Sequence, residues 1–270
     1  MKLKIYGCRG TIASVCPSGS RYGSNTSCMT VESNGDMLIL DAGTGIIQLQ
    51  AEYLNKPLQP HILLSHLHLD HIIGLAAFAP VWAPQAGTKI YTCDRGGGKY
   101  GTLKEQVFGI FKPPFWPVSM ANAVPAECIG LNAGEKFKIN SFEILPFFAA
   151  HPDETTSFRI SDGEKILVYL LDSELPLLDE KGYGELVEHC CAADLVIFDA
   201  AYTPEDYSAK KTWGHSTVKE AVQLKADSGC KQMLITHFNS AYSDEILDLT
   251  RKFPGAEKFL FAVEGAVIDL

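Results

Sequence analysis

Residues 65–74 read Ser-His-Leu-His-Leu-Asp-His-Ile-Ile-Gly, and four of them, His66, His68, Asp70 and His71, can ligate a metal. Imidazole and carboxylate donors together suit zinc, iron or manganese. Alternate residues of an extended segment point the same way, so His66 and His68 can face one ion. Asp70 and His71 sit where the chain turns toward a helix, displaced enough to serve a second. The surrounding residues are apolar: Ile62, Leu63, Leu64, Leu67, Leu69, Ile72 and Ile73. Four unpartnered polar groups buried among them would be costly, and a metal removes that cost.

Four adjacent ligands cannot close a two-metal site, so more are expected downstream. His151 follows the apolar run 142–150, Asp172 ends 166–171, and His237 ends 233–236. Each stands where a buried strand meets solvent, the place where sites gather in layered α/β folds. Of eight histidines, five occupy these positions and His215 lies in a Gly-His-Ser-Thr turn. His61 and His189 read as structural, one at a strand edge and one on a helix surface.

The elements that must position these groups follow from the hydrophobic period. Residues 3–6 read as a strand and 7–25 as a loop. Residues 27–33 and 37–40 form a hairpin around Asn34-Gly35, a favoured two-residue turn. Asp41-Ala-Gly-Thr-Gly45 follows at once, and 46–54 has helical spacing. The spacing predicts strands at 61–65 and 89–93, with a helix over 70–78 stopped by Pro80 and Pro84. Residues 94–117, rich in Gly, Pro and aromatics, read as a long loop: a lid over the site or an inert excursion. Strands are expected at 137–139, 142–148, 157–160, 165–171, 195–198, 233–236, 258–263 and 266–268, and helices at 184–191, 218–228 and 244–252. No composition shift or charged linker divides the chain, so residues 1–270 read as one domain. Helices outside two central sheets would satisfy this order.

Composition excludes several classes. Hydrophobic residues are 46% of the 270 and charged residues 20%, which rules out a disordered chain. Lys plus Arg number 23 and Asp plus Glu 32, a net charge of −9, which argues against a coat for long nucleic acid. The opening MKLKIYGCRG has no signal-peptide core, and no apolar run is fit to span a membrane. The expectation is a cytoplasmic protein, with a homodimer left open. None of the eight cysteines forms a Cys-x-x-Cys pair. They read as free thiols, the alternative being a small zinc site from Cys8, Cys16 and Cys28.

The 65–74 segment resembles the His-x-His-x-Asp-His motif of the metallo-β-lactamase superfamily. Residues 27–45, 61–75, 142–172, 195–217 and 232–239 fall in that family's order. The resemblance implies an α/β fold, an αβ/βα four-layer sandwich of two central mixed β-sheets flanked by helices, with a two-metal site along one edge. It implies that His66, His68 and His151 hold a first divalent ion, that Asp70, His71 and His237 hold a second, and that Asp172 bridges them. Asp41 would support the site from behind its ligands, and Gly43 and Gly45 permit the tight turn after it. Zinc is the implied metal, with manganese and iron as alternatives.

The aspartate at 172 is the bridging residue of the phosphodiesterase-type members. Trp213-Gly-His-Ser-Thr217 is similar to the Gly-His-Ser-Thr segment of tRNase Z and of cyclic-phosphate phosphodiesterases. In those proteins the histidine sits beside the metals and helps the leaving oxygen depart. The resemblance therefore implies Asp70 and His215 as catalytic side chains. One departure stands out: tRNase Z has His-Glu-Ala-Thr where this chain has Asp199-Ala200-Ala201-Tyr202. The glutamate that would orient the histidine is replaced by alanine, so Asp199 either takes that role or only caps its strand. Lys99, Lys104 and Lys112 are too few to grip a folded RNA.

The expected activity is thus hydrolysis of a small, cyclic or linear, phosphodiester by a hydroxide shared between two cations. The alternatives are a tRNase Z-like RNA endonuclease, hydrolysis of a thioester or lactone, and a metal-containing protein that binds a phosphorylated ligand without turnover.

Overall fold

The computed structural model describes residues 1–15, 20–53, 59–94 and 99–270. The first half of the chain supplies strands β1 (Lys2–Gly7), β2 (Arg9–Gly10), β3 (Cys28–Ser33), β4 (Asp36–Leu40), β5 (His61–Leu63), β6 (Lys89–Cys93) and β7 (Glu127–Leu131). The second supplies β8 (Phe137–Ile139), β9 (Phe142–Phe148), β10 (Thr156–Ser161), β11 (Ile166–Leu170), β12 (Leu195–Asp199), β13 (Gln232–Thr236), β14 (Phe238–Asn239), β15 (Leu260–Phe261) and β16 (Val267–Asp269). They build two mixed seven-stranded sheets, ordered β16-β1-β3-β4-β5-β6-β7 and β15-β13-β12-β11-β10-β9-β8. A two-stranded ribbon, β2 with β14, joins the two halves beside the site.

The period of two decides which face each residue takes. Leu3, Ile5, Met29, Val31, Leu38, Leu40 and Leu63 point between the sheets, into one cluster with Phe142, Ile144, Phe158, Ile160 and Tyr169. Their neighbours Tyr6, Ile39, Ile62, Leu64 and Ile90 point outward, under the helices Ile46–Glu52, Ala79–Trp82, Leu103–Phe108 and Met120–Ala123. On the other sheet the helices Glu180–Cys190 and Val218–Ser228 bury Leu186, Val218, Ala221 and Leu224. The architecture is the expected four-layer one, two mixed sheets flanked by helices.

Strands β4, β5 and β6 run parallel, as do β11, β12 and β13, and β9 runs the same way as β11 through two antiparallel steps. Their carboxyl ends therefore open along one edge. Asp41, Ser65, His151, Asp172, Asp199 and His237 all follow or end these strands. Asp41, Asp172 and His237 adopt positive φ, at 57°, 48° and 60°. Non-glycine residues rarely hold that conformation, and it collects at functional sites.

Several elements differ from expectation. The helix read over 70–78 is a short α turn, Leu69–Ile72, followed by the 3-10 segment Ile73–Ala77. At Gly74 the backbone amide donates to the Ala42 carbonyl at 2.9 Å, outside the helix, and a side chain there would meet the Gly43 carbonyl and Ile46. Pro80 opens the next helix, Ala79–Trp82, instead of ending one, because the first turn needs no N–H from it. The 94–117 loop contains a helix, Leu103–Phe108, fixed by a capping box between Thr102 and Glu105. Val107, Phe108 and Phe111 are buried beneath it, while the glycines at 96–98 lie outside the described residues. The helix expected to reach residue 54 is described as far as Glu52, and the strand expected over 258–263 is only Leu260–Phe261. Edge strand β7 and the ribbon β2/β14 were not read from the sequence; both are short and lack a clear alternation.

The cysteine alternative is corrected. Cys8 packs between the sheets and its thiol donates to the Tyr22 carbonyl at 3.1 Å, whereas Cys28 lies in the cluster on the sheet's outer face. The two cannot share an ion, and Cys16 lies outside the described residues. Burial raises both thiol pKa values, as suits structural cysteines. Among the described residues no helix is long and apolar enough to cross a membrane.

Candidate metal centre

The strand ends bring all seven predicted ligands to one place. Atoms of His66, His68, His151 and Asp172 lie within 4.8 Å of one another, and so do those of Asp70, His71 and His237. Asp172 reaches both groups. Its Oδ2 is 3.4 Å from His66 Nε2, while its Oδ1 is 3.3 Å from His71 Nε2 and 3.2 Å from His237 Nε2.

Hydrogen bonds behind the ligands aim them. Asp41 accepts from the Ser65 amide at 2.7 Å and the Ser65 hydroxyl at 2.9 Å, and from the Tyr169 hydroxyl at 2.7 Å. It also holds His71 Nδ1 at 2.7 Å, which turns His71 Nε2 to the site. His68 Nε2 lies 3.0 Å from Asp153 Oδ2, and His151 Nδ1 accepts from the Asp153 amide at 3.1 Å. Those contacts leave His68 Nδ1 and His151 Nε2 for an ion. The Thr11 amide donates to Asp70 Oδ2 at 2.7 Å, so ribbon β2/β14 sets Asp70 as well as His237. A side chain at Gly10 would collide with the His237 ring, and one at Gly214 with the His151 ring.

Charge divides the cluster. Burial pushes His66 well down, and brings His151 to about 4 despite the pull of Asp172. Burial also opposes charge on His71 and His237, but the carboxylates around them outweigh it and raise both well above the ordinary value. Those carboxylates are Asp70, Asp172 and Asp41 for His71, and Asp172, Asp199 and Asp70 for His237. Burial works against ionising Asp70 and Asp172 too, yet the neighbouring histidines hold both well below the usual carboxylate range.

The donors fit divalent metal. His66 Nε2 and both oxygens of Asp172 are buried with no hydrogen-bond partner among the described residues. His71 Nε2 and His237 Nε2 stand 3.2 Å apart. Native interiors seldom leave such groups unsatisfied, and a cation between them would satisfy them.

Beside this cluster, His215 Nδ1 lies 2.7 Å from Asp199 Oδ2, and its ring stacks on His237 at 5.0 Å. Burial disfavours the imidazolium, but the Asp199 carboxylate prevails and the His215 pKa is raised. Asp199 also accepts from the Ala201 amide at 2.9 Å and lies 3.6 Å from His237 Nδ1. The two roles weighed for Asp199 therefore coexist: it orients His215 and it ties off the strand end. Thr217 caps the following helix, and Ser216 Oγ donates to the Ser173 carbonyl at 2.6 Å.

Sequence reasoning missed Tyr169, Thr11, Asp153 and Glu174. Glu174 is fully buried and accepts from the Tyr207 hydroxyl at 2.8 Å, the Thr212 amide at 2.7 Å and the Gly214 amide at 2.8 Å. It moors the loop that carries His215. The one available signal was an acid two residues after Asp172, in a run too apolar for a solvated side chain.

The comparisons agree with this geometry. A family model described as the Beta-lactamase superfamily domain matches residues 37–238. A protein of Bradyrhizobium diazoefficiens named Ribonuclease Z is 24% identical, over 92% of this chain and 94% of its own length. The solved structure of a diphosphatase from the PhnP family superposes with a TM-score of 0.72 at 16% identity, covering 100% of this chain and 97% of that one. Zn(2+)-bound PqqB from Methylobacterium extorquens gives a TM-score of 0.74 at 19% identity, covering 100% of both chains. With its two-sheet sandwich and its histidine and aspartate cluster at one edge, the chain belongs to the beta-lactamase superfamily, has the metallo-β-lactamase fold and is a hydrolase of that family.

Proposed function

We propose that the chain hydrolyses a small phosphodiester, cyclic esters included, at two divalent ions. His66, His68 and His151 would hold one ion, Asp70, His71 and His237 the other, and Asp172 both. The observation that carries this reading is the division of Asp172, one oxygen toward each group of ligands. Zinc is the metal that fits the donor set best, and manganese or iron would fit the same nitrogen and oxygen donors.

Divalent ions at such a site supply Lewis acidity toward phosphoryl oxygens and acidify water toward neutral pH. The chain's own residues do the rest. Asp41, Asp153, Thr11 and Asp199 fix the ligands in place. His215, bound at Nδ1 by Asp199, keeps a proton at Nε2 for the leaving oxygen. Such general-acid help is worth about 10²–10⁴ in rate.

Metal-stripped protein should not turn over bis(p-nitrophenyl) phosphate, and zinc or manganese should restore activity, saturating at two ions per chain. Full activity without metal, or none with any divalent ion, would overturn the reading. The RNA endonuclease reading is favoured by the relative named Ribonuclease Z, which matches nearly end to end. Its signature would be precursor-tRNA cleavage with a steep salt dependence. The net charge of −9 favours the small substrate.

A further inference from the structure

Among the described residues, five rings carry a cation above one face. Three of those rings, Tyr6, Tyr22 and Phe261, are buried. The other two are exposed: Tyr100 lines a cavity with His66 and His68, and Trp213 adjoins Gly214, whose backbone lies against the His151 ring. Lys99 Nζ lies 5.0 Å from the Tyr100 ring centroid and Lys210 Nζ lies 4.0 Å from that of Trp213. Tyr100 is 61% exposed and Trp213 58%. Neither lysine has a carboxylate partner among the described residues, whereas Lys4 pairs with Glu52 and Arg21 with Asp244 and Asp248.

Their places in the fold are complementary. Tyr100 and Lys99 come from the connection between β6 and β7, in the first sheet. With Leu67, Pro152, His66 and His68 they line a cavity of about 480 Å³, within the usual range for a small-molecule site. Trp213 comes from the connection after β12, in the second sheet. It precedes Gly214, whose backbone is pressed on the His151 ring, and lies two residues before His215. Each half of the sandwich thus carries one open ring with an ammonium above it, in a segment that borders the cluster.

An aromatic face with a neighbouring cation is what a nucleobase and its phosphate need, and stacking of this kind tolerates any base. Resting on the phosphodiesterase reading above, we propose that Tyr100–Lys99 and Trp213–Lys210 are paired stacking platforms, so that the preferred substrate is a linear dinucleotide with one nucleoside on each side of the scissile phosphate. Trp213 stands on the His215 side and takes the departing nucleoside. Water adds to phosphorus, the P–O bond to that nucleoside breaks, and its oxygen leaves with a proton from His215. The products are a nucleoside and a nucleoside monophosphate. Glu154 also lines the Tyr100 cavity and favours a base that donates N–H groups there.

The test compares three diesters on the metal-loaded enzyme: diadenosine monophosphate (ApA), 2′,3′-cyclic AMP and methyl p-nitrophenyl phosphate. ApA should have the highest kcat/KM. Tyr100→Ala and Trp213→Ala should each lower kcat/KM for ApA about tenfold more than for the methyl ester, through KM, and Tyr100→Phe and Trp213→Tyr should restore it. A second readout needs no turnover: AMP should quench tryptophan fluorescence in the wild type and not in Trp213→Phe. If the diesters are cleaved but both alanine variants lose equally on all three, the platforms are overturned and the phosphodiesterase reading stands. The same holds if cyclic AMP outruns ApA. If no diester is cleaved, that reading falls; the quench by AMP then decides the platforms alone, and its absence overturns them.

Discussion

The two halves of the metal centre differ in how they are prepared for a cation. The half formed by His66, His68 and His151 is imidazole-rich and reaches solvent, with the His68 side chain 46% exposed. Burial keeps His66 and His151 neutral, so their lone pairs stand ready. The half formed by Asp70, His71 and His237 is closed, its side chains at most 7% exposed. Carboxylates there raise the histidine pKa values, which favours the protonated rings over the metal-ligating ones. One half offers free lone pairs; the other balances its own charge and must exchange protons for metal.

Asp172 joins the halves and gives the harshest test of the distinction. Asp172→Ala should cost activity on the order of 10³-fold or more and remove more than one ion per chain, because each oxygen faces a different half. Metal content by mass spectrometry checks this, and a variant that loses one ion only would show that Asp172 serves one half. His215→Ala sharpens the comparison from the closed side, where the ring stacks on His237. Both ions should stay, while kcat on esters with poor leaving groups falls about 10²–10⁴-fold. Activated esters should lose much less, and an equal loss on both would remove the acid role. In the wild type, turnover of poor leaving groups should decline as pH rises through the raised pKa of His215, since the acid must keep its proton.

The halves were also unequally legible. Residues 65–74 announced themselves because four ligands stand together in an apolar run. His151, Asp172 and His237 were visible only as polar residues at strand ends, and their assignment to halves needed the family resemblance. Period-two alternation located most strands that have one wet or one outward face. It failed for β7 and β2/β14, which are held by neighbours more than by their own pattern. The hydrogen bonds from Tyr169, Thr11 and Glu174 could not be read, because their partners lie 128, 59 and 33 to 40 residues away. The positive φ at Asp41, Asp172 and His237 fits residue types that tolerate it better than most, but the type alone could not single these three out.

Acidity separates the halves more finely. Each proton displaced by a metal weakens its apparent affinity about tenfold per pH unit below the histidine pKa. Metal in the closed half should therefore show a slope of up to about 100-fold per unit at pH values below the raised histidine values. In the open half, His66 and His151 should add little to the slope until the pH falls toward the lowered His151 value of about 4. Calorimetric titration of metal-free protein at several pH values measures both, and equal slopes would break the comparison. Stability of the metal-free protein carries the matching signs. The raised pKa values of His71 and His237 contribute stability that is complete below about pH 6.5 and lost as pH rises through the folded values. The lowered values of His66 and His151 act the other way, removing stability as pH falls from about 6.5 toward 4.

The smallest effect belongs to Glu174, which touches neither half. Its carboxylate accepts from Tyr207, Thr212 and Gly214, and its own amide donates to the Ala150 carbonyl at 2.6 Å, beside His151. Glu174→Gln keeps the shape but aims an N–H₂ group at a backbone N–H, leaving a buried donor unsatisfied. The 207–214 loop should then shift, carrying His215 from its place against Asp199. A loss of about tenfold in kcat is expected, confined to poor leaving groups, with both ions retained and the metal pH slopes unchanged. A loss spread evenly over all esters, or accompanied by loss of metal, would mean that Glu174 supports the open half through Ala150 and His151 instead of the acid through Gly214.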